Sequence, residues 1–359
     1  MNNKMSQIEN YSMKTYGLTP DFEKKAEAFP DLTVARVTAQ EKGYYRLISA
    51  RGEKIGEISG KFEYSVASKA EYPAVGDFVM TFWNEGDSNA IIHHVLPRKS
   101  SFIRKAAGQR SEEQVVAANI DTVFLCMSLN NDYNLRRLER YVSIAWNSGA
   151  MPVVVLTKSD LCDNLEEKLA EVSSVAAGVD ILVTTTTQQD GYEALYPYLS
   201  EGKTIAFIGS SGVGKSTLIN CLLGESHLET NGLRNDDKGR HTTTHRELLL
   251  RKTGGMVIDT PGMRELGMWD AQAGIDQTFS DIEELAQSCR FRDCTHSGNE
   301  PGCAVWEAIE RGELSMERLQ SYQKLMVENR YMEDAQSYLA EKKQKFKEIS
   351  KINKRNKKR

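Results

Sequence analysis

No run of eighteen apolar residues occurs anywhere in the 359-residue chain, so nothing in it reads as a transmembrane helix and no membrane partner is expected. The opening MNNKMSQIENYSMKTYGL is polar and lacks the apolar centre of a secretory leader. Cysteine is scarce as well. Three of the six are scattered (Cys126, Cys162, Cys221) and three fall close together late in the chain. That distribution argues against a disulfide framework and for a reducing, cytoplasmic setting. A strong net charge is also missing, but the value of −4 hides an asymmetry. Residues 341–359 carry ten Lys/Arg against two Glu, a net of +8, which leaves −12 on the remainder. An acidic body with a basic tail is a common layout for contact with nucleic-acid phosphates.

The length suggests two or three domains. Residues 1–30 are polar and read as a flexible arm. Between 31 and 102, strand-like runs (Leu32–Val37, Tyr44–Ile48, Lys54–Ile58, Val75–Met80, Ala90–Val95) alternate with Gly and charged turns, and no helix is evident. Five short strands in that space suggest an OB-type β-barrel, although an SH3-like barrel would give the same pattern. From 112 to 272 strands alternate with helices: strands at 121–129, 151–156, 181–184 and 204–208, helices at 164–176 and 192–199. This is an α/β sheet with covering helices. Residues 273–340 read as mostly helical around a Cys/His cluster, and 341–359 as the basic tail.

Within the α/β region, Gly209-Ser210-Ser211-Gly212-Val213-Gly214-Lys215-Ser216 fits the phosphate-binding pattern G-x-x-x-x-G-K-[ST]. An apolar strand precedes it and a helix opening at Thr217 follows, the order the pattern requires. Backbone N–H groups of the loop and helix start would surround phosphate oxygens. Lys215 would reach the β/γ phosphates and the Ser216 hydroxyl would ligate Mg2+. Downstream, Val257-Ile258-Asp259-Thr260-Pro261-Gly262 puts Asp259 at a strand end to hold Mg2+ through water, with the Gly262 amide facing the γ-phosphate. Between them, Lys238-Gly239-Arg240-His241-Thr242-Thr243-Thr244 offers a further Mg2+ hydroxyl, with Thr243 the first choice, in a loop ordered by the γ-phosphate.

Reading guanine takes a carboxylate that accepts from N1–H and the exocyclic amine. Thr157-Lys158-Ser159-Asp160, at the end of an apolar run, has the [NT]-K-x-D form that supplies it: Asp160 would read the base and the Lys158 stem would cover its face. A second strand end, Val183–Thr186, sits where a backbone amide would approach guanine O6. Both motifs precede the phosphate loop, whereas in ordinary GTPases they follow it. The order is that of a circularly permuted domain, which is tolerable because domain termini lie close together at the surface.

Cys289-x4-Cys294-x-His296-x6-Cys303 packs four soft or borderline ligands into fifteen residues, a donor set suited to one tetrahedral, structural Zn2+.

Taken together, these motifs resemble the RsgA (YjeQ/YloQ) family of circularly permuted bacterial GTPases. The similar stretches are VGDFV, AANIDTVFL, VVVLTKSDL, GSSGVGKSTLIN, GRHTTTHRELLL, VIDTPGMRELG and CRFRDCTHSGNEPGCAV. The resemblance implies an OB barrel, a permuted GTPase and a zinc domain that dock on small-subunit rRNA during late assembly. It also implies that His241 positions or activates the attacking water. Met263 stands where many GTPases carry a catalytic Gln, and a thioether cannot orient water. The chain departs from the family in having Thr157 for the usual Asn and threonines in the second base motif, at a register open by one residue. A Thr hydroxyl can still bond back to the phosphate loop, so guanine preference is expected to survive. The expected protein is a monomeric GTPase stimulated by the small ribosomal subunit. The alternative is a nucleotide-responsive RNA-binding protein with negligible turnover. An ATP-dependent kinase is disfavoured by Asp160.

Overall fold

The computed structural model describes residues 12–84, 86–105, 113–224, 246–259 and 271–333. The chain divides into two compact units, Met1–Leu266 and Gly267–Arg359. Among the described residues no helix is long and apolar enough to cross a membrane.

The expectation of a flexible arm over 1–30 is corrected from residue 12 onward. Met13 and Tyr16 are buried, and helix α1 (Pro20–Ala26) carries Phe22 into the core against Phe78, their ring centroids 4.5 Å apart. Polar composition hid this because a few apolar residues, at positions 13, 16 and 22, anchor the segment.

The barrel strands are β1 (Thr33–Gln40), β2 (Tyr45–Ser49), β3 (Gly52–Ile58), β4 (Phe78–Phe82) and β5 (Asn89–Val95). They run in the order β1-β2-β3-β5-β4, β4 pairs back onto β1, and β3 pairs parallel with β5. That closed order is the OB-type arrangement. A short helix α2 (Gly60–Ser65) lies between β3 and β4, capped by the Ser59 hydroxyl accepting from the Phe62 amide at 3.1 Å. The expectation of a helix-free barrel is corrected here: six residues are too few for periodicity to register. The interior is filled by Val37, Leu47, Val79, Trp83, Ala90 and Ile92.

An antiparallel hairpin, β6 (Ser101–Lys105) with β7 (Glu113–Ala118), follows the barrel. The α/β part then comprises β8 (Thr122–Ser128), α3 (Leu135–Ser148), β9 (Met151–Thr157), α4 (Leu165–Val175), β10 (Asp180–Val183), β11 (Thr204–Gly209), α5 (Lys215–Leu223), β12 (Arg246–Leu250) and β13 (Met256–Asp259). Its strands lie in the order β10-β9-β8-β11-β13-β12, parallel except for β12. Strands buried on both faces read as continuous apolar runs, as β8 and β9 do. The barrel and this sheet are continuous, because β12 also pairs antiparallel with β1. Asp259 lies opposite Glu247, Glu247 opposite Ala39, and Ala39 opposite Arg46, one transverse row from β13 to the barrel.

The second unit is helical: α6 (Gln272–Thr278), α7 (Ser280–Ala286), α8 (Ala304–Glu310) and α9 (Met316–Glu333). Arg318 on α9 binds both oxygens of Asp281 on α7, at 2.6 and 2.7 Å, and donates to the Thr278 carbonyl at 2.9 Å.

Candidate nucleotide site and metal centre

Strand β11 is buried throughout and ends at Gly209. A Cβ at Gly209 would stand 2.7 Å from the Cys126 carbonyl oxygen of β8, so the close approach of the two strands there requires glycine. The loop then turns through Gly214, at φ 107°, a left-handed conformation, into α5 at Lys215. The first intrahelical bond of α5 runs from the Leu218 amide to the Gly214 carbonyl at 3.0 Å, so the amides of Lys215, Ser216 and Thr217 precede the helix's own ladder. Lys215 Nζ donates to the Gly209 carbonyl at 2.7 Å and the Ser210 carbonyl at 2.6 Å, curling across the loop mouth. Ser211 and Gly212 are exposed at the tip, and Val213 is buried beneath it.

The adjoining strand ends hold this loop from the side. Thr157 Oγ1 donates to the Val213 carbonyl at 2.6 Å, and Lys158 Nζ to the Gly212 carbonyl at 2.8 Å. Lys158 takes a left-handed φ of 58°, which turns the chain so that Asp160 follows in a short 3-10 turn over Ser159–Leu161. Thr185 Oγ1 donates to Asp160 Oδ1 at 2.5 Å, and the Ser159 amide donates to the Thr184 carbonyl at 3.2 Å. The Thr185 hydroxyl is itself braced by Thr187, whose amide donates to it at 3.2 Å. Thr185 is a residue that sequence reasoning left unassigned among four consecutive threonines, and only the bond to Asp160 singles it out.

Asp132, in the turn between β8 and α3, carries no motif and was missed altogether. Its Oδ2 accepts from Ser210 Oγ, and its Oδ1 accepts from Arg137 Nη2 at 2.8 Å. Partial burial pushes its carboxyl up, but the bonds from Ser210 and Arg137, with the charges on Arg137 and Lys158, hold it below the ordinary value. Asp259 ends β13, half-buried. His241, Thr242, Thr243, Thr244, Gly262 and Met263 lie outside the described residues, as does the tail 341–359. Thr157, Lys158, Asp160 and Asp259 stand at or just past the carboxyl ends of parallel strands, and Ser216 lies in the first turn of α5 beside them, the edge where α/β sheets bind ligands.

In the second unit, one ligand atom from each of Cys289, Cys294, His296 and Cys303 lies within 4.8 Å of the others. Cys289 Sγ is 4.0 Å from Cys303 Sγ, and His296 Nδ1 is 3.7 Å from Cys289 Sγ and 3.4 Å from Cys303 Sγ. The sulfurs are too far apart for a disulfide, which needs about 2.05 Å. A tetrahedral metal with bonds of about 2.3 Å to sulfur needs donor separations near 3.8 Å, which these match. His296 adopts a left-handed φ of 53°, and its carbonyl is pinned by Trp306 Nε1 at 2.8 Å and Gln323 Nε2 at 3.1 Å. Glu300 accepts from the Thr295 amide at 3.1 Å and the Ser297 amide at 3.0 Å, closing the turn that presents His296. All four residues that the sequence singled out are brought together, and their donors can hold a metal ion.

The chain is similar to known proteins along most of its length. A family model described as RsgA GTPase matches residues 95–269. The chain is 49% identical over 317 residues to the small ribosomal subunit biogenesis GTPase RsgA 2 of Lactiplantibacillus plantarum, covering 88% of this chain and 89% of that one. It is 41% identical over 351 residues to the RsgA 2 protein of Vibrio vulnificus, covering 97% and 96%. Among solved structures, YjeQ from Thermotoga maritima is similar with a TM-score of 0.61 and 27% identity over 82% of this chain and 97% of that one. YloQ, a circularly permuted GTPase, shares the fold at a TM-score of 0.58, over 83% and 94% of the two chains. With an OB-order barrel joined to a permuted GTPase sheet, and with relatives of this identity spanning nearly its whole length, the chain belongs to the RsgA GTPase family.

Proposed function

We propose that the protein hydrolyses GTP to GDP and phosphate, acts in maturation of the small ribosomal subunit by binding that subunit and its rRNA, and works as a monomer in the cytoplasm. The observation that carries the nucleotide half is the coupling of base-reading and phosphate-binding elements at one sheet edge. Thr157 and Lys158 donate to the Val213 and Gly212 carbonyls, while Asp160 of the same segment is held by Thr185. A base bound at Asp160 and phosphates bound at the loop would therefore be fixed relative to each other, which is what positioning catalysis requires. With Thr185 supporting Asp160, the next amide, that of Thr186, is the donor for guanine O6. Mg2+, held by Ser216 and Asp259 with a hydroxyl of the Thr242–Thr244 run, would supply charge neutralisation on the β- and γ-phosphate oxygens. Lys215 would keep the transferred phosphoryl in place, the Gly262 amide would meet its oxygens, and His241 would orient the water. The Cys3His cluster takes one structural Zn2+, whose full set of protein donors leaves no position for substrate.

The test is phosphate release from GTP and from ATP, with and without purified small subunits. Release should be specific to GTP and rise sharply with the subunit. His241→Ala should spare binding and slow hydrolysis, while Lys215→Ala should abolish tight triphosphate binding. Equal use of ATP, or turnover that His241→Ala leaves intact, would reject these assignments.

A further inference from the structure

Among the described residues, four side chains are seen to bond to the phosphate loop. Three belong to nucleotide motifs: Thr157 on the Val213 carbonyl, Lys158 on the Gly212 carbonyl, and Lys215 on the Gly209 and Ser210 carbonyls. The fourth is Asp132, which takes the Ser210 hydroxyl. We propose that Asp132 is a positioning residue for nucleotide binding, which sets the start of the phosphate loop through Ser210. The inference rests on the nucleotide reading of this loop given above.

Asp132 is itself held from several sides. Arg137 Nη2 donates to Oδ1 at 2.8 Å and also to the Asp132 carbonyl. Asn130 Oδ1 accepts from the Asp132 amide at 3.1 Å and from Ser128 Oγ at 2.7 Å. Asn134 Oδ1 accepts from the Arg137 amide at 2.9 Å, which starts α3 at the turn that ends with Asp132. The Leu129 amide, at the beginning of this turn, donates to the Thr157 carbonyl at 2.9 Å. Both carboxylate oxygens are thus committed, one to a guanidinium that fixes the rotamer and one to the loop.

The Ser210 carbonyl is one of two that accept Lys215 Nζ, so holding Ser210 also helps to set where the lysine rests. A loop already held in the binding conformation loses less freedom when phosphates arrive. Most of that benefit is shared by diphosphate and triphosphate and by ground and transition states, so it acts chiefly on affinity. Charge alone predicts the opposite sign. A carboxylate beside the phosphates repels them, so removing it would tighten binding.

The experiment measures dissociation of a fluorescent GDP and a fluorescent non-hydrolysable GTP analogue, together with kcat and KM, in the full chain. Asp132→Ala and Ser210→Ala should each speed release of both nucleotides about tenfold, the worth of one charge-assisted hydrogen bond. The rise in KM should exceed any change in kcat. The double variant should be no worse than either single one, because both remove the same bond. Asp132→Asn retains an oxygen that accepts from Ser210 and should recover most of the affinity. Unchanged or slower release in Asp132→Ala would overturn the proposal, as would a fall in kcat at constant KM. So would Asp132→Asn releasing as fast as Asp132→Ala while Ser210→Ala stays tight, since the effect would then run through Arg137. If the unsubstituted protein bound no guanine nucleotide, the functional reading itself would fail. If it bound and the variants matched it, only the role of Asp132 would.

Discussion

Arg36 Nη2 donates to Thr204 Oγ1 at 2.9 Å, so a barrel side chain ends on the first residue of the strand that leads to the phosphate loop. The same guanidinium donates to the carbonyls of Tyr16 and Gly76 and to Met256 Sδ at 3.2 Å, and lies over the Phe78 ring. It is 1% exposed. Burial pushes it down to about 10, with Asp121 and Asp77 opposing from a distance. One residue thus ties the N-terminal segment and barrel to strands β11 and β13. Arg36→Met should strand several buried acceptors and cost about 2–4 kcal/mol. In a unit of this size that is a fall in Tm of roughly 5–10 °C. Calorimetry showing no loss would mean that these contacts contribute little net stability.

Asp121, beside this junction, gives a dependence on pH. Burial pushes its carboxyl up, but Lys99 Nζ at 2.8 Å, the Thr204 amide at 2.9 Å and Lys203 pull it below the ordinary value. A depressed carboxyl stabilises the fold above its unfolded pKa of about 3.9, and the contribution is lost as pH falls through the folded value. Asp121→Asn should therefore lower Tm at neutral pH and show a shallower decline than the unsubstituted protein below about pH 4. Parallel Tm curves for the two would contradict this role.

The parts of the molecule legible in the sequence were those encoded locally. The phosphate loop, the apolar strands β8, β9 and β11, and the Cys/His cluster each declare themselves within about fifteen residues. The permutation was legible too, because it is a matter of motif order. Arg36, Asp132 and Thr185 were not. Arg36 and Asp132 work through partners far along the chain, Thr204 at 168 residues' separation and Ser210 at 78. Nothing in the surrounding residue types marks such a pairing. Thr185 was obscured differently, since four like residues in a row leave register undefined until Asp160 chooses among them. Pairing of β12 with β1 was hidden for the same reason as Arg36, because it joins residues about two hundred positions apart.

Base selectivity should follow Asp160. Asp160→Asn should lose GTP affinity and gain affinity for xanthine nucleotides, whose C2 oxygen accepts from an amide. Thr157→Ala should weaken all nucleotides about tenfold without changing base preference, because it releases the Val213 carbonyl and leaves the carboxylate in place. Competition assays with GTP, XTP and ATP separate the two effects. A Thr157→Ala protein that no longer prefers guanine would show that this hydroxyl also orients Asp160.

Metal removal should act on the second unit. Freshly purified protein should contain one zinc per chain, and chelation should raise hydrogen exchange across roughly residues 285–310, where the donors close a loop around Cys289, Cys294, His296 and Cys303. Cys294→Ser and His296→Ala should each do the same without chelator. Metal analysis finding no zinc, or exchange unchanged by chelation, would remove the metal from the account.

Nucleotide state should reach the ribosomal partner along two routes. Asp259 shares a transverse row with Glu247, Ala39 and Arg46, so a change at the end of β13 bears on the barrel, where Arg46 also approaches Glu247 at 3.7 Å. Fewer than thirty residues also separate Gly262 from Cys289 along the chain, so on the proposed reading a γ-phosphate contact at Gly262 should be felt in the metal-binding unit. The triphosphate form should therefore bind the small subunit more tightly than the diphosphate form, and by linkage the subunit must strengthen triphosphate binding by the same factor. The basic segment 341–359 should add affinity that falls steeply with salt and is indifferent to sequence. Co-sedimentation with GDP and with a non-hydrolysable GTP analogue, at two salt concentrations, separates these contributions. Deleting 341–359 should flatten the salt dependence and keep the nucleotide effect. Equal binding in both nucleotide states would defeat the coupling even if every residue of the site were correctly assigned.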